Sequence, residues 1–215
     1  MTEIKICCIS SHDEAALALE AGADILGLVS SMPSGPGVID ESLIASIAAF
    51  VPESAQTFLL TSLCDADAIA EQHRRCGTTG IQLCDALPPG SLARLHDMLP
   101  GVRLVQVVHV TGDASYDEAM RAAREADALL LDSGNPSLRV KELGGTGRVH
   151  DWTISRRICA DAGVPVFLAG GLGPDNVADA LQRVGASGVD ICSGVRTGGK
   201  LDREKLTRFI AAVRA

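Results

Sequence analysis

Eight short, strongly apolar runs recur along the chain, separated by polar and helix-patterned stretches. They are "IKICCI" (4–9), "DILGLV" (24–29), "QTFLLT" (56–61), "GIQLC" (80–84), "RLVQVVHV" (103–110), "ALLLD" (128–132), "VPVFLAG" (164–170) and "GVDICS" (188–193). Continuous apolar runs of this length suit strands buried on both faces, as in a parallel sheet. Between them, residues 12–23, 65–77, 115–126, 151–163 and 201–215 carry apolar positions at helical spacing. Glycine closes several of these stretches (Gly22, Gly77, Gly163), as a C-cap would. Eight strands with eight helices, at about 27 residues per unit, is the count of a (β/α)8 barrel. The expected fold is therefore α/β, a single (β/α)8 TIM barrel domain over residues 1–215. An open doubly wound sheet usually carries G-x-G-x-x-G after its first strand, where this chain reads "CISSHDEA".

Hydrophobic residues make up 47% of the chain but aromatic ones only 3%, so the expected core is aliphatic. No apolar run reaches the roughly 18 residues of a membrane span, and the first residues lack signal-peptide anatomy. The seven cysteines are odd in number and scattered, with no C-x-x-C pair. Reduced thiols in the cytoplasm are the expectation. A net charge of −8 argues against nucleic acid or an anionic membrane as partner. A small phosphorylated ligand remains open, because backbone amides at a turn or helix start hold phosphate locally. Cys7, Cys84, Cys192 and His109 fall near strand ends, but no spacing motif supports a metal site. No metal is expected.

Barrel active sites lie at the C-terminal ends of the strands. That rule selects Lys5 and Cys7 on strand one, Gln82 and Cys84 on strand four, His109 on strand five and Asp132 on strand six. Strands seven and eight end in "AGGLGPDN" (169–176) and "CSGVRTGG" (192–199). Both are glycine-rich, and the loops after these strands often hold phosphate. Cys7 and Asp132 form the best acid/base pair, with Lys5 on the same face to favour the Cys7 thiolate. Alternation along the strand sends Cys8 outward, toward the helices, as a packing residue. The longest irregular stretch, 133–150, follows strand six, and loops of such length in compact domains are usually functional.

The segments "KICCIS" (5–10), "GADILGLV" (22–29), "IQLC" (81–84), "ALLLDS" (128–133), "GGTGRVHDW" (144–152), "LAGGLGPDNV" (168–177) and "GVDICSGVRTGGKLDREKL" (188–206) resemble the phosphoribosylanthranilate isomerase family of tryptophan biosynthesis. The resemblance implies a cofactor-free barrel, monomeric or homodimeric, performing an Amadori rearrangement of N-(5-phosphoribosyl)anthranilate. It implies that Cys7 is the base and Asp132 the acid. The family's phosphate turns fall on Gly170, Gly171, Ser193 and Gly194, and its active-site loop includes Gly145 and Gly147. Lys5, Gln82 and His109 are further candidate substrate contacts. The chain departs from the family's usual pattern at Cys8, for glycine, and at Arg196, for an acid. Pro36 stands where the family usually has an arginine that grips the anthranilate carboxylate. Arg139, Arg196 or Lys141 are the cations left to replace it. The alternatives are an isomerase for another phosphosugar amine or ketose, and a non-catalytic phosphometabolite-binding barrel.

Overall fold

The computed structural model describes residues 1–144 and 147–215. Eight parallel strands close into a barrel: β1 (Glu3–Ile6), β2 (Ile25–Val29), β3 (Gln56–Thr61), β4 (Gly80–Leu83), β5 (Arg103–His109), β6 (Ala128–Asp132), β7 (Val166–Leu168) and β8 (Gly188–Ile191). β1 pairs with β8 in parallel, with Lys5 opposite Asp190 and Ile6 opposite Ile191, so the sheet has no open edge. This closure confirms the barrel and removes the open-sheet alternative. Eight helices surround it: α1 (His12–Ala21), α2 (Glu41–Phe50), α3 (Ala66–Cys76), α4 (Ser91–Met98), α5 (Ala114–Ala122), α6 (Trp152–Asp161), α7 (Val177–Val184) and α8 (Arg203–Arg214). A two-stranded hairpin, β9 (Arg196–Thr197) with β10 (Lys200–Leu201), follows β8.

The helix signals are local. Ser11, Asp65, Asp151 and Asp202 cap α1, α3, α6 and α8 with side-chain acceptors. Gly22 and Gly77 end α1 and α3 in left-handed conformation. Gly163 is also left-handed, at φ 71°, but it lies beyond the α6 cap at Ala162.

Aliphatic residues fill the shell between helices and sheet, as the composition implied. The lumen differs: Phe58 and Phe167 plug it, and Gly80 and Gly188 are the gaps that admit their rings. Below them Arg103 makes a bidentate pair with Glu3, at 2.8 and 2.9 Å, and stacks on both rings. The bottom of the barrel is thus sealed, and the open end is the C-terminal one. Among the described residues no helix is long and apolar enough to cross a membrane, and all seven cysteines are free.

Strand one corrects an expectation. The apolar run reaches Ile9, but the strand proper stops at Ile6, and Cys8 adopts φ +63°. Strand alternation therefore ends before Cys8, whose side chain turns into the barrel mouth instead of toward the helices. Among the described residues it is the only non-glycine at positive φ. Such a conformation costs an L-residue roughly 1–2 kcal/mol.

Candidate active site

A cleft of about 690 Å³, including the part open to solvent, occupies the C-terminal mouth. Its concave shape, with polar side chains set among apolar ones, suits a small-molecule site. Cys7 and Cys8 come from the end of β1, Gln82 and Cys84 from β4, and Asp132 from the last position of β6. Gly170, Gly171 and Leu172 come from the turn after β7, and Asp190, Cys192 and Ser193 from β8 and its end. The rim is made by Met32, Ser34, Gly35 and Pro36 after β2 and by Leu143, Gly144 and Gly147 after β6. Those two loops are tied together where Ser34 Oγ donates to Lys141 O at 2.6 Å.

Asp132 is buried, and its Oδ1 accepts from Ser133 N at 2.7 Å. Two glycines press against it. A Cβ on Gly144 would lie 2.7 Å from Oδ2, and one on Gly170 would lie 3.2 Å from Oδ1. Both have positive φ, 137° and 80°. Only glycine lets the two loops close on the carboxyl this way. Burial pushes the Asp132 carboxyl above the ordinary carboxylate range. The Ser133 N–H opposes that shift, the negative charge of Asp190 adds to it, and His109 and Lys5 pull back. A shift in that direction favours the protonated form that a general acid uses.

Lys5 is fully buried, and its Nζ donates to Asp190 Oδ1 at 2.7 Å. Burial is the largest single influence and works against the ammonium, but the Asp190 charge, the Cys7 and Cys8 thiols and the Asp190 hydrogen bond together outweigh it and the pKa rises, so Lys5 stays charged. A Cβ on Gly27 would meet Lys5 Nζ at 3.0 Å and Cys7 Sγ at 3.1 Å, so a bare strand position makes room for both. Lys5 is thus below the floor of the cleft, beside Cys7 and committed to Asp190, and it does not line the cleft as a substrate contact would.

Other expected contacts are also placed elsewhere. His109 is buried against Cys84 O at 3.2 Å and does not line the cleft. Arg139 is exposed and outside it. Lys141 is paired with Asp85. Arg196 turns away from the cleft: Nη1 pairs with Glu14 Oε1 at 2.7 Å, and Nη2 donates to Cys8 O at 2.6 Å. Among the described residues no cation lines the cleft. Gly145 lies outside the described residues.

Gln82 lines the cleft, and its Oε1 is buried without a partner among the described residues, an acceptor left for a ligand hydroxyl. Gly170, Gly171, Ser193 and Gly147 line one end, and the Gly147 position is 3.6 Å from Ser193 Oγ. The amides of Gly170 and Gly171 make no backbone hydrogen bond among the described residues. Gly194 does not line the cleft: it packs on Leu172 O, where a Cβ would collide. Asp190 and Cys8 were missed as site residues. Alternation in "GVDICS" would have turned Asp190 inward between outward Val189 and Ile191. Among the described residues no three His, Cys, Asp or Glu side chains converge to hold a metal ion.

Fold and cleft together define a (β/α)8 barrel with a buried carboxyl, a thiol and glycine-rich turns at its C-terminal mouth. Residues 4–212 match the family described as N-(5'phosphoribosyl)anthranilate (PRA) isomerase. An N-(5'-phosphoribosyl)anthranilate isomerase of Methanocella arvoryzae is 32% identical over 215 residues, covering 100% of this chain and 99% of the relative. The chain belongs to this isomerase family. Among solved structures, the phosphoribosyl anthranilate isomerase of Thermococcus kodakaraensis superposes with a TM-score of 0.83 at 28% identity, covering 100% of this chain and 99% of the other. A further isomerase, crystallised with reduced 1-(o-carboxyphenylamino)-1-deoxyribulose 5-phosphate, matches in fold with a TM-score of 0.83 at 22% identity, over 100% and 99% of the two chains.

Proposed function

We propose that the protein is a phosphoribosylanthranilate isomerase of tryptophan biosynthesis, converting N-(5-phosphoribosyl)anthranilate to its 1-deoxyribulose 5-phosphate product. The observation that carries this reading is the buried Asp132, its carboxyl pKa raised, sharing a cleft with Cys7 and with the bare glycine turn at Gly170 and Gly171. The phosphate sits on Gly170, Gly171 and Ser193. Asp132 gives its proton to the ribose ring oxygen, and the ring opens to an iminium ion. The Cys7 thiolate then takes the proton from C2. The resulting enolamine settles to the ketone. C1 is reduced and C2 oxidised within one molecule, so the reaction is an intramolecular oxidoreduction that needs no cofactor. Gln82 accepts from a sugar hydroxyl, and Lys5 with Asp190 sets the charge below Cys7. One barrel domain, as a monomer or homodimer in the cytoplasm, suffices for these steps.

The cation-free cleft favours a second reading, in which the amine carries no carboxylate. Purified protein given N-(5-phosphoribosyl)anthranilate should quench its fluorescence, and Cys7→Ala and Asp132→Asn should abolish the quenching. Turnover of the aniline analogue with none of the anthranilate would select the second reading. Turnover unaffected by either substitution would sink the mechanism.

A further inference from the structure

Three thiols meet at one corner of the cleft, and the proposed reaction uses only one. Cys7 N donates to Ile191 O at 2.8 Å, so the β1–β8 ladder runs on past both strands and sets Cys192 beside the Cys7–Cys8 turn. Cys8 Sγ is 3.8 Å from Cys7 Sγ and also donates to Pro36 O at 3.6 Å. The Cys8 and Cys192 thiols are near enough to shift each other's ionisation. All three residues line the cleft, so a small oxidant reaches them by the route the substrate takes.

The two spare thiols are polarised in opposite senses. The neighbouring Cys8 thiol, and after it the charge of Arg196, hold the Cys192 thiol below its ordinary value against the cost of burial. Cys8 is pushed up by the neighbouring Cys192 and Cys7 thiols and by burial. Among the described residues the Arg196 Nε–H is buried without a hydrogen-bonded partner, a donor left over from its bonds to Glu14 and the Cys7 and Cys8 carbonyls. A thiol held below its ordinary value beside a guanidinium is the setting in which cysteines react with peroxides.

We propose that Cys192 and Cys8 form a reversible modification site, in which a hydroperoxide oxidises Cys192 and Cys8 resolves the product to a Cys8–Cys192 disulfide. The Cys192 thiolate attacks the outer peroxide oxygen, the O–O bond breaks, and the departing oxyanion leaves as water or an alcohol after taking a proton. Sulfur is oxidised to sulfenic acid and the peroxide is reduced. The Cys8 sulfur then attacks Cys192 Sγ, the S–O bond breaks, and hydroxide leaves with the Cys8 proton as water. A dithiol reverses the reaction. Geometry favours this pair over Cys7–Cys8. Consecutive Cα atoms are about 3.8 Å apart, below the roughly 4.4–6.8 Å that an unstrained disulfide spans. The continued β1–β8 register sets Cys192 opposite Cys7, at a strand spacing of about 4.7–4.9 Å that lies inside that range, and the turn at Cys8 brings the second thiol to the same corner. The bridge would draw the β8 end, with Ser193, toward Cys8 and narrow the phosphate end of the cleft. That effect on turnover rests on the function proposed above; the bridge itself does not.

The test is hydrogen peroxide treatment of the whole protein, read first by mass. The expected product has lost about 2 Da, with the tryptic peptides Ile6–Arg74 and Val184–Arg196 joined. The link persists in Cys7→Ala and is lost in Cys192→Ser and in Cys8→Gly, where glycine suits φ +63°. Turnover, compared with each protein's own untreated rate, falls more than tenfold in wild type and returns with dithiothreitol. A sulfinate on Cys7 as the sole product, a link that vanishes in Cys7→Ala, or no joined peptides would overturn the proposal. Joined peptides in a protein inactive on the anthranilate substrate would leave the site standing and refute the function instead.

Discussion

Replacing Lys5 with Met removes one charge from a pair that is closed off from water. The lysine side chain is 0% exposed and that of Asp190 11%, and the two are 2.7 Å apart. Met retains the length and apolar stem, so packing around Gly27 and Cys7 changes little. Asp190 is left in the barrel without its counter-charge. Removing one partner of a buried pair costs about 3–5 kcal/mol. At about 2–4 °C per kcal/mol for a domain of this size, the midpoint of thermal unfolding should fall by roughly 6–20 °C. The pair raises the pKa of Lys5 in the folded state. Its contribution is therefore complete below the unfolded value of about 10.4 and fades only as pH rises toward the folded one. The gap between wild type and variant should hold constant from neutral pH to about 10 and shrink above it. Lys5→Met/Asp190→Leu removes both charges and should recover most of the loss. Calorimetry of the three proteins decides the matter. A single variant within about 2 °C of wild type, or a double variant no better than the single, would refute the reasoning.

Asp132→Asn should lower turnover by roughly 10²–10⁴-fold without lowering stability at neutral pH. The raised pKa of Asp132 means that the folded state resists ionisation, so its burden is absent below about pH 3.9 and grows as pH rises. The variant's advantage in melting temperature should follow that course. Pro36→Arg puts a guanidinium on the rim of a cleft that has no cation among its described residues. A charge-assisted contact worth about 1.5–3 kcal/mol should lower KM for the anthranilate substrate by tenfold or more, with no effect on an analogue lacking the carboxylate. Arg196→Gln breaks the largely buried pair with Glu14 and should cost about 3–5 kcal/mol. Burial alone would raise the Glu14 carboxyl, but Arg196 and the Leu201 and Ser10 N–H groups hold it low. Wild-type stability from this pair is lost as pH falls below about 4.3, and acid melts of the variant should show a smaller loss.

The barrel was legible because its signal is a repeat: eight apolar runs survive errors in any one boundary. Helices α2, α4 and α7 were counted but not delimited; they span only 8–10 residues. Asp132 and Cys7 were legible by strand-end position alone. What the sequence could not yield is where each cation's charge is used. Arg196 meets Glu14 across 182 residues, Lys5 meets Asp190 across 185, and Lys141 meets Asp85 across 56. None of these pairings has a local signature. Two of the three candidate carboxylate grips, Arg196 and Lys141, therefore become structural ion pairs in the fold.

Cys8 shows how such long-range pairings make a local irregularity tolerable. Its φ of +63° belongs to glycine, and a side chain there carries a cost of roughly 1–2 kcal/mol. Two features far away in sequence accommodate it. Gly37, itself at φ +81°, has no Cβ, and one would collide with the Cys8 side chain. Arg196 holds the carbonyls of Cys7 and Cys8 at 3.3 and 2.6 Å, fixing the turn from the opposite side. The residue-8 thiol, the rim loop after β2 and the guanidinium after β8 are thus one mechanical unit. Substitutions within it should not add independently. Cys8→Gly alone should relieve the strain and stabilise the fold, but in an Arg196→Gln background the freed glycine turn loses its clamp and the gain should disappear. Cys7 and the departures from the family pattern at Cys8, Pro36 and Arg196 share one corner of the barrel mouth, so the effects of substituting them have to be read together.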